Sequence, residues 1–332
     1  MTAPKLLSPV FKGLSGVAFL LLWALMAANG TLVALLKTAW SGVFPDGTPL
    51  KTTYTGILPI DFPLSILVAF FYGLQNRPGT PPHLMLVDLV AALLVINMMT
   101  LVESRRPNAP KWLRSSALWQ YLWNCAGVAL FLPIYSLLHV KHKFDEPTHP
   151  RIPKWEAQAL LFSAIFSLLL PVPLLLPAAL HATPPDIQVG LVQYFLTPAL
   201  LVLFQTLACT ALFLYASSSP SWIAQPVKAA YLLVGSASAL IHLGIVSYVL
   251  WTDATSLSLV SLYLPDPTIV QAGEENILTA GALLFFQWDF IIISLTVMCH
   301  GIYLFLQRSS KFSDLVLDWR LCFGVRKMRI IG

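Results

Sequence analysis

The chain has 332 residues, 57% hydrophobic and only 11% charged, with a formal net charge of +5. A soluble domain carries about a quarter charged residues, so this composition excludes an ordinary soluble enzyme. The positive balance calls for no nucleic-acid partner, because a basic tail beside anionic membrane lipid accounts for it.

Apolar runs of the length needed to cross a bilayer predict eight helices, at roughly 14–36, 57–74, 84–102, 117–138, 157–180, 190–215, 227–250 and 278–306. The expected fold is an all-α, multi-pass integral membrane protein, one polytopic domain over 1–332 with a basic C-terminal tail from about 307. The first run follows Lys5 and Lys12 and, at about 23 residues, exceeds the ~7–15 of a signal-peptide core. The sequon Asn29-Gly30-Thr31 falls in its far half. The second run is short and contains Asp61 and Pro63, with Ser65, Val68, Tyr72 and Gln75 on the stripe of Asp61. The third begins beside Asp88, read as an interfacial residue, and closes on Glu103-Ser104-Arg105-Arg106.

The fourth run carries Trp119 and Trp123 on one stripe and Gln120 and Asn124 on the next. Pro171, Pro173 and Pro177 should kink the fifth, with neighbouring helices satisfying the freed backbone groups. Tyr194, Thr197, Leu201 and Gln205 share a stripe in the sixth, and His242 lies in the seventh. The eighth presents Phe285, Asp289, Ile292, Thr296 and His300 along one face, with Gln287, Trp288 and Phe290 flanking the acid. Trp40, Trp112, Trp155, Trp222, Trp251 and Trp319 read as interfacial anchors. Of the 20 Lys and Arg, only Lys37, Lys51, Arg105, Arg106, Lys111 and Arg114 fall on the side opposite the termini, which places both termini in the cytosol. The expected compartment is the endoplasmic reticulum membrane.

Several chemistries lack their motifs. There is no GxxxxGK[ST] loop, no GxSxG elbow, and neither a DDxxD nor a DxDD motif. Cys125, Cys209, Cys299 and Cys322 are scattered, with no CxxC pair to suggest zinc or a disulfide framework. His139-Val-Lys-His142, with His149 beyond it, is like a fragment of a membrane di-iron site, but the chain's 7 His are scattered and the segment reads as a solvated loop. No metal and no cofactor is therefore expected.

Three acids remain in or at the edge of apolar runs: Asp61, Glu103 and Asp289. An ionisable residue in hydrocarbon is costly and reads as functional by default. Alternating spans place all three toward the lumenal half, with Asp289 about 17 Å deep. Structural roles compete with this reading. Asp61 has a helix-cap alternative, Glu103 a terminal charge cluster with Arg105 and Arg106, and Asp289 a purely hydrogen-bonding one. An acid enclosed among aromatic faces can protonate an alkene or epoxide, and the rings then stabilise the carbocation while water stays out.

The chain resembles the fungal integral-membrane terpene cyclases of ascochlorin- and ascofuranone-type meroterpenoid pathways. The likeness rests on Ile57-Leu58-Pro59-Ile60-Asp61 leading to Leu67-Val68-Ala69-Phe70-Phe71, on Glu103-Ser104-Arg105-Arg106, and on the aromatic fourth run ending Leu132-Pro133-Ile134-Tyr135. The resemblance implies cyclisation of a farnesyl-type chain or its terminal epoxide, often on an aromatic core, with other pathway enzymes as neighbours. It makes Asp289 and Asp61 candidate proton donors and Glu103 their partner or a base, with Arg105 and Arg106 tuning Glu103 or sensing a polar head. Trp288, Phe285, Tyr72, Trp119 and Trp123 become candidate pocket walls. A proton-coupled carrier using the same acids is the alternative.

Overall fold

In the computed structural model the residues described are 3–145, 152–215, 225–252 and 257–308. His149, Trp222, Trp319, Cys322 and the basic tail beyond 308 lie outside them. The described chain is helical, with one isolated bridge between Val43 and Pro49. Seven of its helices are long and apolar enough to cross a membrane, and an eighth, Val128–His142, is shorter.

The first long helix is α1 (Ala3–Ala18), which continues through a π-helical turn, Phe19–Ala24, into α2 (Leu25–Ala28). The expected span 14–36 does not run straight. It breaks where Asn29 Oδ1 accepts from the Thr31 amide at 3.1 Å and hydroxyl at 2.8 Å, and where Gly30 takes a left-handed φ of 85°. Beyond the break come α3 (Thr31–Ser41), α4 (Leu58–Gln75) and α5 (Pro81–Ser104), the last two close to their expected positions.

The largest departure concerns the expected fourth span. After α6 (Lys111–Arg114), the chain forms α7 (Ser116–Ala126), turns at Gly127, and returns as α8 (Val128–Asp145). Trp119 and Tyr135, near-symmetric about Gly127, meet edge to face at 5.3 Å. The start of α7 touches the end of α5 through Thr100 and Ser116 at 3.0 Å. The far part of α8 touches it again through His139 and Glu103 at 3.1 Å. The run therefore forms a re-entrant hairpin with both arms open to one end of the bundle.

Such a break in an apolar interior leaves backbone groups to satisfy. The Trp23 indole donates to the Ala126 carbonyl at 2.9 Å, closing the end of α7. Asp289 accepts the Ala129 N–H at 2.6 Å and the Val128 N–H at 3.3 Å, closing the start of α8.

The remaining helices are α9 (Lys154–Ser167), α10 (Val172–Ala179), α11 (Pro184–Phe195), α12 (Thr197–Tyr215), α13 (Pro226–Trp251), α14 (Leu259–Tyr263) and α15 (Ile277–Arg308). The expected fifth run is interrupted at 168–171, which ends on Pro171, with Pro173 in the first turn of α10. The sixth is divided at Leu196.

Because one expected crossing folds back between them, α13 runs against α5, where simple alternation would set the two parallel. Helices α5 and α13 run antiparallel: Asp88 near the start of α5 meets His242 late in α13 at 2.8 Å, while Leu101 and Val102 pack with Ala230 and Val234. Glu103 and the connection carrying Arg105, Arg106, Lys111 and Arg114 thus share an end with the start of α1 and the end of α15. There Phe11 packs on Leu137, Val140 and Tyr303.

Candidate active site

An apolar cavity lies between α2, α4, α5, the Gly127 apex and α15. It holds about 640 Å³ of unfilled space, its mouth included. Its walls are aromatic for a reason of register: Phe70 and Phe71 on α4 face Phe285 and Phe286 on α15, with ring centres 5.2–5.7 Å apart across the two helices. Trp23 meets Phe285 edge to face at 6.1 Å. Trp123 and Tyr194 complete the lining, and Asn124 and Asp289 supply its polar side chains besides the tyrosine. The rim is formed by residues that keep partial exposure, Trp23, Ile66, Leu67 and Phe70, together with the exposed Cys125.

Asp289 is 1% exposed and sits near the middle of α15, about 18 Å from its first residue at 1.5 Å per residue. Its carboxyl is aimed by the two α8 amides, and the longer Val128 contact leaves Oδ2 the less committed oxygen. The other two acids stand elsewhere. Asp61 is buried, but its oxygens accept from the Thr55 amide and hydroxyl, both at 2.8 Å, and from the Gly56 amide at 2.9 Å. It pins the turn that leads into α4 and does not line the cavity.

Glu103 is held by Arg106 through two bonds, Nε–Oε2 at 2.6 Å and Nη2–Oε1 at 3.0 Å. His139 stands 3.1 Å away on Oε2, His300 is 2.9 Å from His139, and Ser136 Oγ is 3.4 Å from His300. Arg105 lies 3.9 Å from Glu156. The expectation that the acids converge from one half is therefore corrected: Glu103 sits level with His300, eleven residues of α15 and about 17 Å from Asp289.

Among the expected walls, Phe285 and Trp123 line the cavity, whereas Tyr72, Trp119 and Trp288 do not. Tyr72 packs on Phe44 at 4.7 Å, and the Trp119 indole donates to the Trp112 carbonyl at 2.8 Å. Trp288 is partly buried beside the core, and its indole nitrogen has no hydrogen-bond partner among the described residues.

Two groups escape the sequence reading. His139, expected in a solvated loop, is 1% exposed inside α8, because α8 runs on to Asp145 and its inner face turns toward α15. Asp88, expected at the interface, is 2% exposed and accepts from the Tyr263 hydroxyl at 2.6 Å while His242 lies at 2.8 Å. Burial, and then the bond to Asp88, pushes the Tyr263 phenol above its ordinary range. The i+11 spacing shared by Val128–His139 and Asp289–His300 is the signal that could have found the histidine pair. Among the described residues no three His, Cys, Asp or Glu side chains are grouped to hold a metal ion.

Comparison with known proteins adds the decisive finding: residues 7–325 match the CtvD domain family. The chain belongs to that family. A terpene cyclase named DEP1 from Alternaria brassicicola is 30% identical over 315 residues, covering 90% of this chain and 85% of the relative. A DEP1 terpene cyclase from Fusarium langsethiae is 29% identical over 296 residues, covering 84% and 81%. The terpene cyclase alnG of Emericella nidulans is 26% identical over 316 residues, covering 89% and 83%. No solved structure matches. The resemblance drawn from the acidic second run and the aromatic fourth thus leads to fungal terpene cyclases, and the carrier reading finds no support in these relatives.

Proposed function

We propose that the protein is a fungal membrane-bound terpene cyclase of secondary metabolism in which Asp289 protonates a prenyl chain held in the aromatic cavity. The observation that carries the assignment is that Asp289 is the one carboxyl on the wall of an otherwise apolar and aromatic cavity enclosed by membrane-length helices. The relatives' common activity agrees with it.

The step is an isomerisation. The Oδ2–H bond of Asp289 breaks as its proton passes to a terminal alkene carbon or epoxide oxygen. The ring bond forms from the next double bond, and the final cation loses a proton that restores the Asp289 carboxyl, so no atoms are gained or lost over the turnover. Trp23, Phe70 and Phe285 offer ring faces to the migrating charge, and the apolar walls keep water from quenching it early. The substrate is a lipophilic, farnesyl-type chain or its epoxide, dissolved in membrane lipid. Asp61 then serves the turn before α4. Glu103, charged against Arg106, orders the His139–His300 pair instead of donating the first proton.

The chain lies in the endoplasmic reticulum membrane with both termini cytosolic. Lys12, Arg105, Arg106, Lys111, Arg114, Lys141, Lys154 and Lys228 gather at one end of the helices, against Lys37, Lys51 and Arg77 at the other, a stronger bias than simple alternation predicts.

Microsomes containing the protein should convert a linear farnesylated substrate, or its terminal epoxide, to a ring product without added Mg²⁺. Asp289→Asn should abolish the product at unchanged expression. Undiminished product from that variant would overturn the assignment.

A further inference from the structure

Helix α7 ends at the aromatic cavity, with Asn124, Cys125 and the Gly127 apex in its wall. The polar residues earlier on α7 are paired away from this space. Ser116 meets Thr100 at 3.0 Å and Gln120 donates to Ser116 at 2.9 Å, so both serve the seam with α5. Asn124, one turn beyond Gln120, belongs to the cavity instead. It is 9% exposed, and its carboxamide makes no hydrogen bond among the described residues.

The main chain adds to this polarity. In an unbroken helix the Val128 and Ala129 amides would bond the Asn124 and Cys125 carbonyls. Here both amides go to Asp289, at 3.3 and 2.6 Å. The Gly127 amide takes the Trp123 carbonyl at 3.0 Å and the Trp23 indole takes that of Ala126. The carbonyls of Asn124 and Cys125 are left without a hydrogen bond among the described residues. Free carbonyls at a helix C-terminus carry the negative end of the helix dipole, about half an elementary charge, and favour a cation beside them. The Asn124 carboxamide turns readily about χ2 and can aim its oxygen at the same charge. By binding the first amides of α8, Asp289 thus makes the end of α7 the electronegative pole of an otherwise aromatic cavity.

We infer that the end of α7 is a binding site for a hydrophobic cation, formed by the Asn124 carboxamide and the Asn124 and Cys125 carbonyls. The inference rests on the reading of this cavity as the place where the prenyl cation arises. There the dipoles hold positive charge at the apex, so the last cation lies close to Asp289 when its proton leaves. Fixed neutral dipoles suit this task, because they stabilise the charge in a dry pocket with no solvent to reorganise. The ligand class follows: an alkylammonium ion with a long apolar tail fits the same site without reacting.

The test reads equilibrium binding, so it stands apart from whether Asp289 is the proton donor. Full-length protein in detergent micelles is titrated with dodecyltrimethylammonium and with its uncharged isostere, 2,2-dimethyltetradecane. Binding is followed by tryptophan fluorescence, to which Trp23 and Trp123 on the cavity wall respond. The quantity compared between proteins is the ratio of the two affinities, in which effects of volume and of the micelle cancel. Asn124→Leu keeps the shape of the side chain and removes its dipole, and should lower that ratio about threefold to tenfold. Asn124→Ala should lower it as well, and hydrocarbon binding retained in either variant shows that the fold survives. In an Asp289→Asn background, Asn124→Leu should still lower the ratio. No binding of the ammonium ion by the wild-type protein, an unchanged ratio in both Asn124 variants, or an effect that vanishes with Asp289→Asn would overturn the proposal.

Discussion

Replacing Asp289 by Asn keeps an oxygen for the Ala129 amide while removing the transferable proton, so it separates the two things this side chain does. The fold and thermal midpoint should change little and turnover should vanish. Asp289→Leu removes the acceptor as well. It leaves the first amides of α8 unpaired in an apolar interior and should cost about 1–3 kcal/mol per group, read as a lower melting temperature and reduced yield. Asp61→Ala should instead lower the melting temperature through loss of the Thr55 and Gly56 bonds while each folded molecule retains turnover. Abolished turnover at unchanged stability would return Asp61 to the chemistry. The depth of Asp289 was legible in the sequence because helical rise is constant. The fate of Asp61 was not, because its partners lie in an aperiodic connection. Arg106 beside Glu103 was legible as an i+3 pair, whereas His139 needed the tertiary contact with α15 to be seen as buried.

At the scale of elements, the re-entrant hairpin turns on one glycine. Gly127 holds φ at 95°, and a Cβ there would stand 2.9 Å from Leu22 Cδ1 and 3.1 Å from Phe285 Cζ. Gly127→Ala should cost about 1–3 kcal/mol in backbone strain and crowding, measured as a drop in thermal midpoint, and should disturb the pocket because Phe285 is one of its walls. The continuous apolar run 117–138 concealed the turn, since glycine is common in membrane helices and hydropathy carries no sign of direction. The short helix α14 is pinned as definitely: the Tyr263 hydroxyl bonds Asp88, and Gln287 donates to the Ser261 and Leu262 carbonyls at 3.0 and 3.2 Å. Tyr263→Phe should destabilise by about 1.5–3 kcal/mol, the range for a hydrogen bond to a charged partner.

For the whole molecule, the all-helical membrane class followed from composition, and five of the long apolar helices lie close to where the runs predict them. What composition could not supply was parity. One run folded back turns α13 against α5, and only contacts such as Asp88 with His242 reveal that. The proposed topology has a direct check. In intact microsomes, a cysteine placed at Lys111 should react with an impermeant maleimide added outside, whereas one placed at Lys51 should react only after permeabilisation, in a background lacking the native cysteines. The opposite pattern would invert the protein in the membrane.

The rim of Trp23, Ile66, Leu67, Phe70 and Cys125 opens on the flank of the helices, beside the outward Phe19 and Leu20, which are 53% and 59% exposed. The catalyst therefore meets its substrate in two dimensions. What it senses is mole fraction in the bilayer, not molarity in the surrounding water. Diluting a fixed quantity of prenyl substrate with inert phospholipid should slow turnover in proportion, while adding buffer to the same vesicles should leave the rate unaltered. In the cell, such an enzyme would be controlled by how much lipid surrounds it.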